Sequence, residues 1–165
     1  MNSHPPRKFA RPKDDKIEKV IEIDRVSRTV KGGRRIRFRA LVVVGDGKGK
    51  VGLGVGKASD VSQSISKAST YARRHMNDIL IVNETIPYEI LMRHGSALVM
   101  LKPASKGTSL IAGGTVRAVI EAAGIKNIVA KSLGSANKLN IAKATMAALL
   151  SLNNINERYN AENIK

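Results

Sequence analysis

At 165 residues and 42% hydrophobic, the chain is long enough for one ordinary domain or two small ones and apolar enough to bury a core. Its 29 Lys and Arg against 13 Asp and Glu give a formal net charge of +16, an excess best tolerated when a polyanion neutralises it. The absence of cysteine excludes disulfides, thiolate metal sites and cysteine nucleophiles, and 3% aromatics with no Trp argues against an aromatic platform for single strands. No apolar run approaches a membrane span, and no helix sets a basic face against a bulky one. Nucleic acid therefore ranks ahead of an anionic membrane as the partner. Residues Met1 to Asp15 hold three prolines and four basic residues and lack the apolar core of a secretory signal. They read as a mobile basic tail of a cytoplasmic protein, either a phosphate-seeking arm or a solvated end.

From Lys16 the pattern changes. Val20, Ile21, Ile23, Val26 and Val30 predict a first strand that runs into a basic hairpin. Arg25, Arg28, Lys31, Arg34, Arg35, Arg37 and Arg39 place seven cations within fifteen positions, with no acid among them. Gly32-Gly33 supplies the φ freedom of a tight reversal. Ile36, Phe38 and Ala40 then alternate with Arg37 and Arg39. Gly45-Asp46-Gly47-Lys48-Gly49 makes a second turn, and Val51, Leu53 and Val55 alternate with Gly52, Gly54 and Gly56 in the returning strand. A run of like charge is ordinarily a solvated face, but a solubility face interleaves acids. This one lacks them and sits on a hairpin, so it reads as a rigid finger for phosphates.

The spacing of Val61, Ile65, Ala68, Ala72 and Met76 predicts a helix over Lys57–Met76, with Ser59 and Asp60 at its start. Arg73, Arg74 and His75 close it, where cations suit the negative end of the dipole as well as they would suit RNA. Three strands, a basic loop and a helix match a double-stranded-RNA-binding module, which reads groove shape. Residues 77–84 read as a short strand or connector, with a domain boundary between Asn83 and Tyr88. Tyr88–Met92 and Ala97–Leu101 form a hairpin through Arg93-His94-Gly95-Ser96. Pro103–Gly114 is a loop delivering a helix over Thr115–Ala123, buried through Val116, Val119, Ile120 and Ala123 and ended by Gly124. That loop is either an anion site at a helix start, with Lys102, Lys106 and Arg117 nearby, or a plain connection. Ile128–Ser132 is a strand, Leu133–Leu139 a loop, and Asn140 caps a last helix whose Ile141, Ala144, Ala148, Leu149 and Leu152 face inward. From Asn153-Asn154 onward a tail is expected.

Catalysis finds no support. Gly47, Gly49 and Gly52 satisfy a dinucleotide spacing but lie between two strands, not between a strand and a helix. Gly56-Lys57 is followed by Ala58 and lacks a Walker glycine at Val51. His4, His75 and His94 are scattered without metal-ligand spacing, and no acid–base pair is evident. The expectation is no enzyme, no metal and no cofactor. A free-standing RNA chaperone and an RNA-processing hydrolase are the rival classes. The hydrolase would need clustered carboxylates for metal.

Three stretches in unbroken order carry a resemblance: RVSRTVKGGRRIRFRALVVVGDGKGKVGLGVGKA, PASKGTSLIAGGTVRAVIEAAGI and SANKLNIAKAT. From about Lys16 to Asn154 the chain resembles the bacterial small-subunit ribosomal protein five family. The resemblance implies an α+β fold with an N-terminal double-stranded-RNA-binding-like domain and a βαβ-type α+β C-terminal domain. The expected layout is a basic tail over 1–15, the RNA-binding domain over 16–80, the ribosomal domain over 81–155 and a tail over 156–165. It implies a non-oligomeric constituent of the small ribosomal subunit, without a membrane association. The partners would be 16S rRNA at the head–body junction, ribosomal proteins four and eight, and messenger RNA near its path into the subunit. Expected rRNA contacts are Arg25, Arg28, Lys31, Arg34, Arg35, Lys48, Lys50, Lys57 and Arg74. Val26, Ser27, Arg28, Thr29, Val30, Lys31, Gly32 and Gly33 match the family's spectinomycin-linked loop, with the two glycines shaping its turn. Lys106, Gly107, Thr108, Ser109 and Arg117 match its accuracy-linked contact with protein four. Ser109 stands where the family often has glycine, and Ser62 and Lys138 where it often has proline.

Overall fold

A computed structural model of the chain describes residues 16–162. The basic tail expected over 1–15 and the last three residues lie outside the described residues. The first strand, β1 (Ile17–Val30), pairs antiparallel with β2 (Gly33–Gly45), which pairs in turn with β3 (Lys50–Ala58). Helix α1 (Val61–Arg74) leads to the short β4 (Met76–Asp78), which completes a sheet of order β1-β2-β3-β4. Strands β5 (Ile90–His94) and β6 (Ala97–Pro103), β7 (Leu110–Ile111), helix α2 (Gly114–Ala123), β8 (Ile128–Gly134) and helix α3 (Lys138–Glu162) follow. Their sheet has the order β5-β6-β8-β7, and only β7 and β8 run parallel. The expected α+β class is the observed one, with β7-α2-β8 as its βαβ crossover.

The apolar run of β2 is buried on both faces, which explains why Ala40–Val44 does not alternate. On one face, Ala40, Val42 and Val44 pack against Ala68 and Ala72 of α1. Their partners on β3 are Gly56, Gly54 and Gly52. A Cβ at Gly54 would lie 2.0 Å from the Ala68 carbonyl oxygen, so the glycine row lets α1 lie directly on the sheet. On the other face, Leu41, Val43 and Val51 enter one core with Val99, Leu101, Ile120, Leu149 and Leu152 of the second half. At roughly 25 cal/mol per Å², burying each large aliphatic side chain here stabilises the fold by about 1.5–3 kcal/mol.

The turn after β2 is the clasp between the halves. The Gly47 N–H donates to the Ala122 carbonyl (3.1 Å), and the Gly49 N–H to that of Ala123 (2.9 Å). A Cβ at Gly45 would meet the Ala122 oxygen at 1.9 Å, so backbone touches backbone there. Asp46 holds the turn by accepting from the Lys48 and Lys50 N–H groups at 2.8 and 2.9 Å. Burial pulls its carboxyl upward, but those backbone donors outweigh it and the pKa falls below its ordinary value. Ion pairs add to the clasp: Lys19 of β1 bonds Glu121 of α2, and Lys138 bonds Glu22 at 3.1 Å.

Several boundaries differ from expectation. Helix α1 begins at Val61, not Lys57, because Lys57 and Ala58 still pair with Arg39 and Phe38. Asp60 caps it by accepting from the Ser62 N–H at 3.1 Å. Met76 pairs with Gly52 in β4 and so lies beyond the helix. The buried stripe of α1 is centred on Ser64, Ala68 and Ala72, with Val61 and Ile65 at its margin. The Pro103–Gly114 loop contains a strand, β7, too short for periodicity to reveal. Strand β8 runs on to Gly134. The cap of α3 is Asn137, whose side-chain oxygen accepts from the Leu139 N–H at 3.1 Å; Asn140 lies within the helix. That helix continues to Glu162, so Asn153-Asn154 does not begin a tail. Asn153 instead accepts from the Leu80 N–H at 2.8 Å, and its amide donates to the Asp78 carbonyl.

Candidate nucleic-acid interface

The finger is the outer half of the β1–β2 hairpin. Its register pairs Arg28 with Arg35, Thr29 with Arg34 and Val30 with Gly33, leaving Lys31 and Gly32 at the tip. Facing residues of an antiparallel pair share a face. Asp24, Val26, Arg28, Arg35, Arg37 and Arg39 therefore lie on one face, and Arg25, Ser27, Thr29, Arg34, Ile36 and Phe38 on the other. Lys57, opposite Arg39 on β3, extends the first face. A depression there is lined by Val26, Ser27, Arg28, Val30, Arg35, Arg37 and Lys57. Val30 and Ile36 are exposed, so this part of the hairpin covers no core. Of the two turn glycines only Gly33 has a positive φ, +138°, so Gly33 rather than Gly32 carries the unusual backbone.

The charge balance of the finger is uneven. Arg39 at its base is held by Asp24, with Nη2 2.6 Å from the carboxylate. Among the described residues no carboxylate pairs with Arg25, Arg28, Lys31, Arg34, Arg35 or Arg37. Elsewhere the acids are used: Lys19, Lys50, Arg73, Lys102, Arg117, Lys126 and Lys138 each meet one. Six like charges on one hairpin repel one another at several kcal/mol in a low dielectric and much less in water. An anion between or beside the strands would relieve that repulsion.

The other expected contact residues separate in space. Lys57 joins the finger base. Lys48 and Lys50 sit on the clasp turn at the far end of β2, roughly 40 Å from the tip at 3.4 Å per residue. Lys50 pairs with Asp78 at 3.3 Å, while Lys48 is exposed. Arg74 is exposed near the end of α1.

Lys106, Gly107, Thr108 and Ser109 form an exposed loop between β6 and β7. Gly107 and Ser109 both have positive φ, +97° and +65°. The loop is pinned by Asn127, a buried residue that no sequence pattern singles out. Its side-chain oxygen accepts from the Gly107 N–H (3.1 Å) and the Ser109 N–H (3.3 Å). Only its place just before β8 could have drawn attention to it. Arg117 is turned to Glu121 at 3.1 Å, and no hydrogen bond or ion pair joins it to the loop among the described residues. The hydrogen bond from Lys19, opposed by burial and aided by Arg117, holds the Glu121 carboxyl below its ordinary range. At the start of α2, Gly113 provides no side-chain cap.

Comparison with known proteins accounts for both halves. Residues 17–80 match the family model for the N-terminal domain of ribosomal protein S5, and residues 92–162 that for its C-terminal domain. A small ribosomal subunit protein uS5 of Lawsonia intracellularis is 54% identical over 136 residues, which cover 82% of this chain and 83% of the relative. That of Syntrophobacter fumaroxidans is 54% identical over 139 residues, 84% of each chain. That of Acidithiobacillus ferrooxidans is 56% identical over 138 residues, 83% of this chain and 78% of the relative. With both domain models matched in order and identity above half over most of its length, the chain belongs to the ribosomal protein S5 family.

Proposed function

We propose that this chain is a structural, non-catalytic constituent of the small ribosomal subunit in the cytoplasm, and that its basic finger binds 16S rRNA at the junction of head and body. The observation that carries the reading is the set of six finger cations with no carboxylate partner among the described residues. Such a surface holds phosphates by charge and shape, without a base code. In the same reading, Lys57, Lys48, Lys50 and Arg74 contact rRNA at separate points. Val26, Ser27, Thr29 and Val30 with the glycine turn form the spectinomycin-linked loop. The pinned loop from Lys106 to Ser109, with Arg117, meets ribosomal protein four and bears on translational accuracy. Ribosomal protein eight and incoming messenger are further neighbours. The division near residues 80–81 marks two structural units that share one core.

The test is sedimentation of the full chain from a cell lysate on sucrose gradients at low and high salt. Co-migration with the small subunit at near one copy per particle is expected. A position at the top of the gradient in both salts would overturn the ribosomal reading in favour of a free RNA chaperone.

A further inference from the structure

The base of the finger does not end the basic surface. Arg35, Arg37 and Lys57 line the finger depression and also line a second one with Ser59, Gln63 and Lys67 at the start of α1. Lys67 in turn lines a third depression with Thr70, Tyr71, Arg74 and His75 on the outer side of that helix. Tyr71 and His75 also line a fourth, together with Leu53 and Val55 of β3 and Lys143 and Met146 of α3. Shared lining residues thus join the finger base to α3 along a helix of roughly 20 Å at 1.5 Å per residue.

The chemistry along this track is of one sign. Among the described residues no carboxylate pairs with Lys57, Lys67, Arg74 or Lys143. Glu18, the acid bound to α1, is taken by Ser69 and Arg73 on a different side of the helix. At the far end the rings of Tyr71 and His75 stack, with centroids 4.1 Å apart and planes 22° from parallel. His75 Nδ1 lies 2.9 Å from the Tyr71 carbonyl oxygen, to which an Nδ1–H donates, and this fixes its ring. Tyr71 is 51% exposed, in a chain that is only 3% aromatic. An exposed, stacked pair between unpaired cations offers a flat π surface with phosphate-binding groups on both sides. A protein partner would need a matching acidic and apolar face, whereas an RNA strand supplies anion and base in one ligand.

We infer that the outer face of α1 is a second RNA-binding track, for a single-stranded segment, ending in a base-stacking site on the Tyr71–His75 pair. Lys67, Arg74 and Lys143 hold phosphates, and one unpaired base lies against the Tyr71 ring. This goes beyond the proposed binding by the finger and uses different residues, apart from Arg74.

The test measures binding of a labelled deca-adenylate and of an abasic ribose-phosphate oligomer of equal length to the full chain at low salt. Tyr71→Leu keeps apolar bulk and removes the π face. It should weaken deca-adenylate binding about 5- to 150-fold, the range for losing one base–aromatic stack. Tyr71→Phe should bind like the parent, and the abasic oligomer should bind alike to all three. Lys67→Gln with Lys143→Gln should lower the log–log salt slope for either single-stranded oligomer by about 1.4. Circular dichroism establishes that each variant is folded. Equal binding of deca-adenylate by the parent and Tyr71→Leu overturns the stacking site. An unchanged slope in the lysine pair overturns the track. Separate Arg25→Gln and Arg34→Gln changes on the finger, read against small-subunit rRNA, report on the finger alone. The failure of one reading is thus distinguishable from the failure of the other.

Discussion

The two faces of the finger make a prediction that neither charge count nor family membership makes alone. Arg28, Arg35 and Arg37 share one face, and Arg25 and Arg34 the other, with Lys31 at the tip. If each of the six unpaired cations neutralises one phosphate, the finger contributes roughly −5.4 to the log–log salt slope. A fourfold rise in salt then weakens rRNA binding on the order of 2,000-fold through the finger. Replacing Arg28, Arg35 and Arg37 by Gln should reduce the slope by about 2.7, and replacing Arg25 and Arg34 by about 1.8. Both losses are expected together only if RNA lies against both faces, as it does when the hairpin is inserted between strands. The assay is filter binding of the full chain to small-subunit rRNA from about 50 to 200 mM salt, with slopes compared among variants. Glutamine keeps length and polarity, and none of these side chains supports the core, so stability should change little. A change in slope from only one triple or pair would place RNA on one side of a finger lying flat. No change from either would refute the role of the finger.

Other outcomes follow from the backbone and the ion pairs. Gly33→Val should distort the finger at a local cost of about 1–3 kcal/mol, because only glycine is at ease at φ +138°. Gly32→Ala, with no positive φ and nothing within 4 Å of its added Cβ, should be tolerated; rRNA affinity and amide exchange of the hairpin check both. Ser109→Gly should raise the melting temperature by about 2–4 °C, since it relieves a left-handed serine worth roughly 1 kcal/mol while keeping the N–H bonded to Asn127. A lower melting temperature would refute the strain. Glu121 titrates below its ordinary value of 4.5 in the folded chain, so the unfolded chain takes up its proton first as pH falls. Stability from this group is therefore complete above about pH 5 and is lost as pH falls through the folded value. Glu121→Gln should melt lower at neutral pH and show a shallower acid-side decline; an unchanged pH profile would refute the linkage.

Long periodic features were legible in the residues, and short or shared ones were not. The finger, the glycine-alternating strand and the stripe of α2 each repeat a local pattern over many positions, and pattern fixes which face is buried. The start of α1 was misplaced because Lys57 and Ala58 suit either a helix or a strand; the ladder to β2 decides, and that is a long-range fact. Strand β7 has two residues and no period to detect. Asn153 reads as a helix breaker by composition, yet its side chain ties α3 to Leu80 and Asp78, a contact across more than seventy residues. The expected contact residues lie together on one hairpin where charge is dense in the sequence. They were scattered where single lysines were judged by type, so Lys48 and Lys50 lie at the opposite end of the sheet from the finger. In the sequence His75 reads only as a helix-end cation and Tyr71 has no signal of its own, because the low aromatic content argues against stacking in general; that the two rings stack is a fact of the fold.

The Gly45–Gly49 turn shows why motif and charge must be weighed against place. Its glycines resemble a phosphate loop, and its lysine suggests an RNA contact. In the fold, Gly47 and Gly49 donate to the carbonyls that end α2, while Asp46 closes the turn on itself. The turn therefore joins the finger's sheet to the second half through backbone atoms only. The finger and the Lys106–Ser109 loop stand on opposite sides of this junction, one on the first sheet and one on the second. Their relative position is fixed by the shared core, by the close backbone approaches of Gly45, Gly47 and Gly49 to Ala122 and Ala123, and by the Lys19–Glu121 pair. A side chain added at Gly45 would push α2 away and displace the Lys106–Ser109 loop relative to the finger, without touching a single cation of the finger.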